Sequence, residues 1–170
     1  MRPFSGSGER VRPGQSRRSK EISMVTEKAL LPLLDLDEYP NSVVDVFIEL
    51  PQTEAGSRCA GICAASMALA DAGVPMRNLI SSCSVGVVDG EIALDIAGLE
   101  DNYGDVDMAV ATIGNEDKFV LLQMDGIITR DQMKTMLDLA KKGCAEIYEK
   151  QKQALKDKYK TGEIDDDESE

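Results

Sequence analysis

Histidine and tryptophan are absent from this 170-residue chain. Without histidine there is no Ser-His or Cys-His nucleophile pair and no His-ligated metal, so any catalysis falls to carboxylates, Arg or Lys, backbone amides or a bound ion. The four cysteines, Cys59, Cys63, Cys83 and Cys144, form no C-x-x-C pair, and a structural zinc site has no histidine to complete it. They read as small buried apolar residues. No early stretch joins a basic region to the apolar run of a signal peptide, and no uninterrupted apolar stretch approaches the roughly 18 residues of a membrane span. The expectation is a cytoplasmic protein with no membrane partner. There is no internal repeat.

What is present suits one compact domain. The length is that of a single core, and 42% apolar residues beside 29% charged ones are too apolar for disorder along the whole chain. Lys and Arg number 19 against 31 Asp and Glu, a net charge of -12, which at first sight argues against a polyanionic partner. The charge is segregated, however. Residues 1–20 carry Arg2, Arg10, Arg12, Arg17, Arg18 and Lys20 against Glu9 alone, and residues 161–170 carry Glu163, Asp165, Asp166, Asp167, Glu168 and Glu170 with no base. A basic region of this kind can meet phosphates despite the overall sign. The acidic tail, 161–170, has no apolar anchor and is expected to be disordered.

The opening, rich in Pro, Gly, Ser and Arg, reads as an irregular basic segment. Ile22, Val25, Ala29, Leu30 and Leu33 recur at helical spacing and predict a helix over 17–34, ended near Pro32. Residues 43–50 (VVDVFIEL), β-branched and bounded by Pro40 and Pro51, predict a strand. Residues 56–73, rich in Ala and small residues with Gly at both ends, predict a tightly packed buried helix. Asp89-Gly90 between two apolar runs is a hairpin signal joining strands over 80–88 and 91–96. Strands over 106–113 and 119–124 follow, then a long amphipathic helix over 129–158. This order predicts an α+β fold, a mixed sheet with helices covering one side.

Three groups of residues stand out chemically. Gly56, Ser57 and Arg58 open a helix, where free N–H groups, the helix dipole, a hydroxyl and a guanidinium suit a phosphate oxyanion. A Ser cap followed by a surface Arg is the commoner meaning of such a triplet. Arg17 and Arg18 open another helix and could hold a polyanion backbone, although basic dipeptides are common on surfaces. The third group is LEDNYGDVDM, residues 99–108, which gathers Glu100, Asp101, Asp105 and Asp107. Such density can raise a carboxylate pKa or hold a hard cation such as Mg²⁺. A solvated acidic loop is the plainer meaning, but Asp107 is flanked by Val106 and Met108 within an apolar strand. Asp125-Gly126 reads as a turn, and the eight Met as core fillers.

RPFSGSGERVRPGQSRRSKEIS, then ELPQTEAGSR with the Ala-rich helix running to ALADAGVPMRNLI, then VGVVDGEIALDIAGLEDNYGDVDM, closely resemble the RNase PH family, in particular catalytic ring subunits of the archaeal RNA exosome. The match runs from Arg2 to about Lys160 and takes three separated motifs in order. The resemblance implies an RNase PH-like domain (ribosomal protein S5 domain 2-like) over 1–160, lacking an amino-terminal stretch of strands that such proteins carry, through a late start codon or truncation. It also implies a phosphorolytic 3′ to 5′ exoribonuclease in which inorganic phosphate releases nucleoside diphosphates from RNA. By matching position, Gly56, Ser57 and Arg58 would bind phosphate, and Arg17 and Arg18 the RNA near its 3′ end. Asp101 and Asp107 would be the catalytic carboxylates, Asp107 as general acid or as a ligand of Mg²⁺ with Asp101. Implied partners are single-stranded RNA, a related silent ring subunit in a hetero-hexamer and RNA-binding cap subunits. A non-catalytic RNA-binding ring subunit and a stand-alone RNase PH trimming tRNA ends are the alternatives. Retention of both the phosphate and the acidic motifs favours the enzyme, and GDVDM with the basic opening favours the exosome type.

Overall fold

The computed structural model describes residues 16–52, 54–114 and 116–160. The basic opening before Ser16 and the acidic tail 161–170 lie outside the described residues. Helix α1 spans Arg17–Leu30, and its start is fixed by Ser16, whose Oγ accepts the Ser19 N–H at 3.0 Å. It ends four residues earlier than its periodicity predicts. Pro32 cannot supply an α-helical N–H, and the chain tightens into a 3-10 turn at Leu31–Leu33. Helix α2 spans Ser57–Asp71, as its Ala-rich composition predicts.

Strands β1 (Ile80–Val88) and β2 (Glu91–Leu94) form the hairpin marked by Asp89-Gly90. Both turn residues have positive φ, 51° and 82°, the combination a tight two-residue turn requires and Asp-Gly tolerates. A short helix α3 (Leu99–Tyr103) precedes β3 (Val106–Ile113), β4 (Phe119–Gly126) follows, and α4 (Arg130–Tyr159) closes the described chain. The capping box of Thr129 and Gln132 sets the start of α4.

The architecture is α+β, with two corrections to the sequence reading. The sheet, ordered β2-β1-β3-β4, is antiparallel at every described pairing rather than mixed. Its connections are a hairpin, a short helical link and a tight loop, whereas parallel neighbours need a long crossover. Helices also cover both faces rather than one, because β1 and β3 are buried on both. Cys83, Val85, Val87, Val106, Met108 and Val110 pack under Met136, Ala140 and Cys144 of α4. Ile80 and Ala111 lie on the opposite face with Ala29, Leu30 and Leu33 from α1 and its turn, and Ile62, Ala65 and Leu69 of α2.

A third expectation fails at residues 43–50. This segment pairs with no described strand, and Val43, Val44, Val46 and Phe47 are exposed while Ile48 is buried. Its β-branched composition is that of a strand, but among the described residues it is extended backbone outside the four-stranded sheet.

Gln151 locks α4 in register. The residue is buried; its Oε1 accepts from Ser81 Oγ at 2.9 Å, and its Nε2 donates to the carbonyls of Cys63 and Ile80 at 3.2 and 3.1 Å. One amide thus joins α4, α2 and β1. Replacing Gln151 by Leu keeps the volume but strands these groups in the core, and it is expected to lower stability by about 2–4 kcal/mol. Urea unfolding followed by circular dichroism measures this; an unchanged midpoint would show that the amide is dispensable.

Candidate active site

The site forms where the starts of α1 and α2 meet the sheet. On β1, alternation puts Ile80, Ser82, Ser84 and Gly86 on the face toward α2, and on β3 it puts Asp107, Ala109 and Ala111 there. Small residues let the Ala-, Gly- and Ser-rich α2 lie close. Ser66 Oγ accepts the Ile80 N–H at 2.8 Å and Cys63 Sγ the Ser82 N–H at 3.1 Å, side-chain to strand bonds that only short side chains permit.

Gly56 begins α2 in the left-handed region, φ 59° and ψ 17°, where a residue with a Cβ is strained. No side chain caps this start. The positive end of the helix dipole and its first amides are therefore left without an intramolecular side-chain acceptor. Ser57 is buried, and its Oγ accepts from Arg18 Nη2 at 3.4 Å, which ties the start of α1 to the start of α2. The Arg58 guanidinium lies 3.7 Å from Glu21 of α1, and Gln123 Nε2 of β4 donates to the same Glu21 Oε1 at 2.9 Å.

The acidic motif comes from the other side. Gly98 N–H donates to Glu54 O at 3.0 Å, fastening the segment before α2 to α3. Within α3, Glu100 Oε2 accepts the Ala97 N–H at 3.0 Å and Asn102 Nδ2 donates to Gly98 O at 2.8 Å. Asp105 N–H then donates to Val87 O at 2.8 Å and leads the chain into β3. Asp107 is the second residue of that strand, half-buried, in register with Gly86 on one side and Asp125 on the other. Burial raises its carboxyl above the usual Asp range, the charge of Asp101 raises it further, and Arg58 offsets part of the rise. Asp125 adds to the rise and Arg18 opposes it.

The structure thus gathers Gly56, Ser57, Arg58, Arg18, Asp101 and Asp107. Arg17 is exposed on the first turn of α1 and makes no hydrogen bond or ion pair among the described residues; Asp105 is also exposed. Sequence reading missed Glu21 and Gln123, and took Asp125 for part of a turn. Asp125 instead lies in β4 directly opposite Asp107. Only the strand register could have revealed that pair. Among the described residues no three carboxylates or thiols converge closely enough to hold a metal alone. Burial pushes the nearby Cys59 thiol up to about 11, which leaves it unreactive at neutral pH. No helix among the described residues is long and apolar enough to cross a membrane.

Comparison with known proteins puts this geometry in context. The first-domain model of the 3′ exoribonuclease family (RNase PH) matches residues 1–75, and the second-domain model matches 78–143. An exosome complex component Rrp41 of Thermococcus gammatolerans is 53% identical over 159 residues, 94% of this chain and 64% of that protein. The protein of the same name from Methanopyrus kandleri is 49% identical, over 94% of this chain and 66% of its own length. The chain therefore spans about two thirds of the length of these relatives. The crystal structure of rice (Oryza sativa) Rrp46 matches with a TM-score of 0.79 over 91% of this chain and 70% of that one, at 18% identity, a likeness of fold.

The raised pKa of Asp107 has a consequence for stability. Above its raised native value the folded state holds an ionised carboxylate less comfortably than the unfolded chain does, and this penalty shrinks as the pH falls through that value and is gone below the ordinary Asp range. At pH 7, with a chelator present, Asp107→Asn is expected to raise the melting midpoint by about 1–2 °C, since the half-exposed group is partly screened by water. The gain should vanish in acid. Scanning calorimetry at both pH values checks this, and a lower midpoint at pH 7 would mean that the arginines outweigh burial.

Proposed function

The chain belongs to the 3′ exoribonuclease (RNase PH) family, and from that membership we propose that it acts as a phosphorolytic 3′ to 5′ exoribonuclease subunit of an archaeal exosome ring. One observation carries the reading: an uncapped helix start with Ser57 and Arg58, bridged to Arg18, stands beside a half-buried Asp107 of raised proton affinity. Fixed positive charge and helix amides suit an inorganic phosphate anion, and a carboxyl of raised proton affinity suits the protonation of a leaving oxygen.

In this reading Gly56, Ser57 and Arg58 bind the phosphate, while Arg18 and the exposed Arg17 hold phosphates near the RNA 3′ end. A phosphate oxygen attacks the terminal phosphodiester phosphorus, the bond from phosphorus to the 3′ oxygen breaks, and that oxygen takes the Asp107 proton. The products are a nucleoside diphosphate and RNA one nucleotide shorter. Clustered cations are needed first, because two anions must be brought together before the acid can act. Burial, with the charge of Asp101 added to it, keeps the proton affinity of Asp107 high.

Asp101 and Asp107 offer the hard oxygens that Mg²⁺ takes one or two at a time, completing its shell with water and substrate phosphates. The donor set therefore fits that ion, which Asp101 would hold, joined by Asp107 in the alternative role in which Asp107 is an ionised ligand rather than the proton donor. When bound, the ion would neutralise charge developing on the phosphates. Partners in this reading are single-stranded RNA, a related silent subunit alternating in a hexameric ring, and RNA-binding cap subunits; the name of the relatives, exosome complex component, supports membership of a multi-subunit complex.

The protein in its native assembly is expected to shorten single-stranded RNA only when phosphate and Mg²⁺ are supplied, with nucleoside diphosphates as the chromatographic product. Nucleoside monophosphates as the main product would contradict the proposal. Asp107→Asn should retain RNA binding and lower kcat by about 10²-fold or more. Arg58→Ala should show a defect that shrinks as phosphate concentration rises, the mark of lost ground-state binding. A defect that persists at saturation would move Arg58 from binding phosphate to the transition state.

A further inference from the structure

The guanidinium of Arg58 is not left to find its own orientation. Its side chain is 20% exposed, and the carboxylate of Glu21, in the second turn of α1, stands 3.7 Å away. Glu21 is itself held from the sheet by Gln123 Nε2 at 2.9 Å. The chain of contacts runs from β4 through α1 to α2, so three elements meet at one cation. A carboxylate near a site for an anion is at first sight unfavourable, since it repels the phosphate that Arg58 attracts. Gln123 adds to the puzzle, because its own Oε1 is buried without a partner among the described residues while its amide points the donor end at Glu21. An unpartnered buried carbonyl destabilises the fold. Both unfavourable features make sense if the pair has a task.

We propose that Glu21, fixed by Gln123, is a positioning residue for Arg58: it holds one edge of the guanidinium and aims the remaining N–H donors at the phosphate bound on the start of α2. An arginine carries five donors in a planar fork, so one edge can be engaged by a carboxylate while the rest stay free. Preorganisation matters here because a long side chain that must be ordered at each binding event weakens affinity by the entropy it loses. The position of Gln123 supports the assignment. It pairs with Ala109 across β4 and β3, one step along the face from the Asp107–Asp125 pair. Gln123 and Asp107 therefore lie on the same face of the sheet, and the clamp on Arg58 and the carboxyl are set by one rigid surface.

The inference rests on the phosphorolytic reading above, and the test separates the two. Glu21→Ala and Gln123→Ala are expected to raise the phosphate KM about 10-fold and about 3-fold respectively, with kcat at saturating phosphate within twofold of wild type. In an Arg58→Ala background Glu21→Ala should add nothing, since the residue it positions is gone; additivity is the expectation for independent sites. Glu21→Gln, which keeps an acceptor for Arg58, should recover part of the loss. Phosphate-induced thermal stabilisation, read without RNA, should weaken in the same order. Fully additive effects of Glu21→Ala and Arg58→Ala, or tighter phosphate binding by Glu21→Ala, would overturn the proposal and show Glu21 to be a structural or repelling charge. If wild type itself yields no diphosphates, it is the underlying reading that fails.

Discussion

The structure depends on how closely α2 lies on the sheet. Ser82, Ser84 and Gly86 of β1 and Ala109 and Ala111 of β3 face it with short side chains, and α2 answers with Cys63, Ala65 and Ser66. Short side chains on both surfaces allow hydroxyl and thiol groups of the helix to bond the strand backbone directly. Larger residues on either side would push the helix away, because a packed interior has no slack to absorb them. That approach fixes where the helix begins, and the beginning of α2 is the centre of the site. The other face of the sheet, covered by α4, is built from larger aliphatic residues and carries no comparable chemistry.

Electrostatics then follow from placement. A chain with an overall charge of -12 still concentrates Arg18 and Arg58 at two adjoining helix starts, where the dipole of α2 adds to them. Opposite these cations, β3 and α3 set Asp107 where burial and then the charge of Asp101 raise its proton affinity. The hydrogen bond from Gly98 to Glu54 holds the two halves together. Among the described residues Arg58 pairs with Glu21 rather than with Asp101 or Asp107, and it acts on Asp107 through its charge.

Much of this was legible in the sequence, for physical reasons that differ between elements. Strand β3 was predicted at its observed bounds because Val106 to Ile113 is short, apolar and isolated by polar turns. The hairpin was legible because Asp89-Gly90 satisfies a backbone demand that few other pairs can meet. Residues 43–50 misled because a strand is defined by its partner, and composition says nothing about who pairs. The same limit hid Asp125 and Glu21: one needs the register of β4 against β3, the other the docking of α1 on β4. Gly56, Ser57, Arg58, Asp101 and Asp107 could be singled out because each sits in a local pattern with its own chemical meaning. Arg17 and Arg18 looked equivalent, and only the packing of α1 turns Arg18 toward Ser57 while leaving its neighbour in solvent.

The central claim is that inorganic phosphate, bound at the start of α2, is the nucleophile toward RNA. Phosphate carrying heavy oxygen at every position tests it most directly. If a phosphate oxygen attacks the phosphodiester, the released nucleoside diphosphate carries all the labelled oxygens in its terminal phosphoryl group, including the bridging atom, as mass spectrometry would read. A diphosphate lacking label in that bridge, or label entering products from heavy-oxygen water instead, would contradict the account.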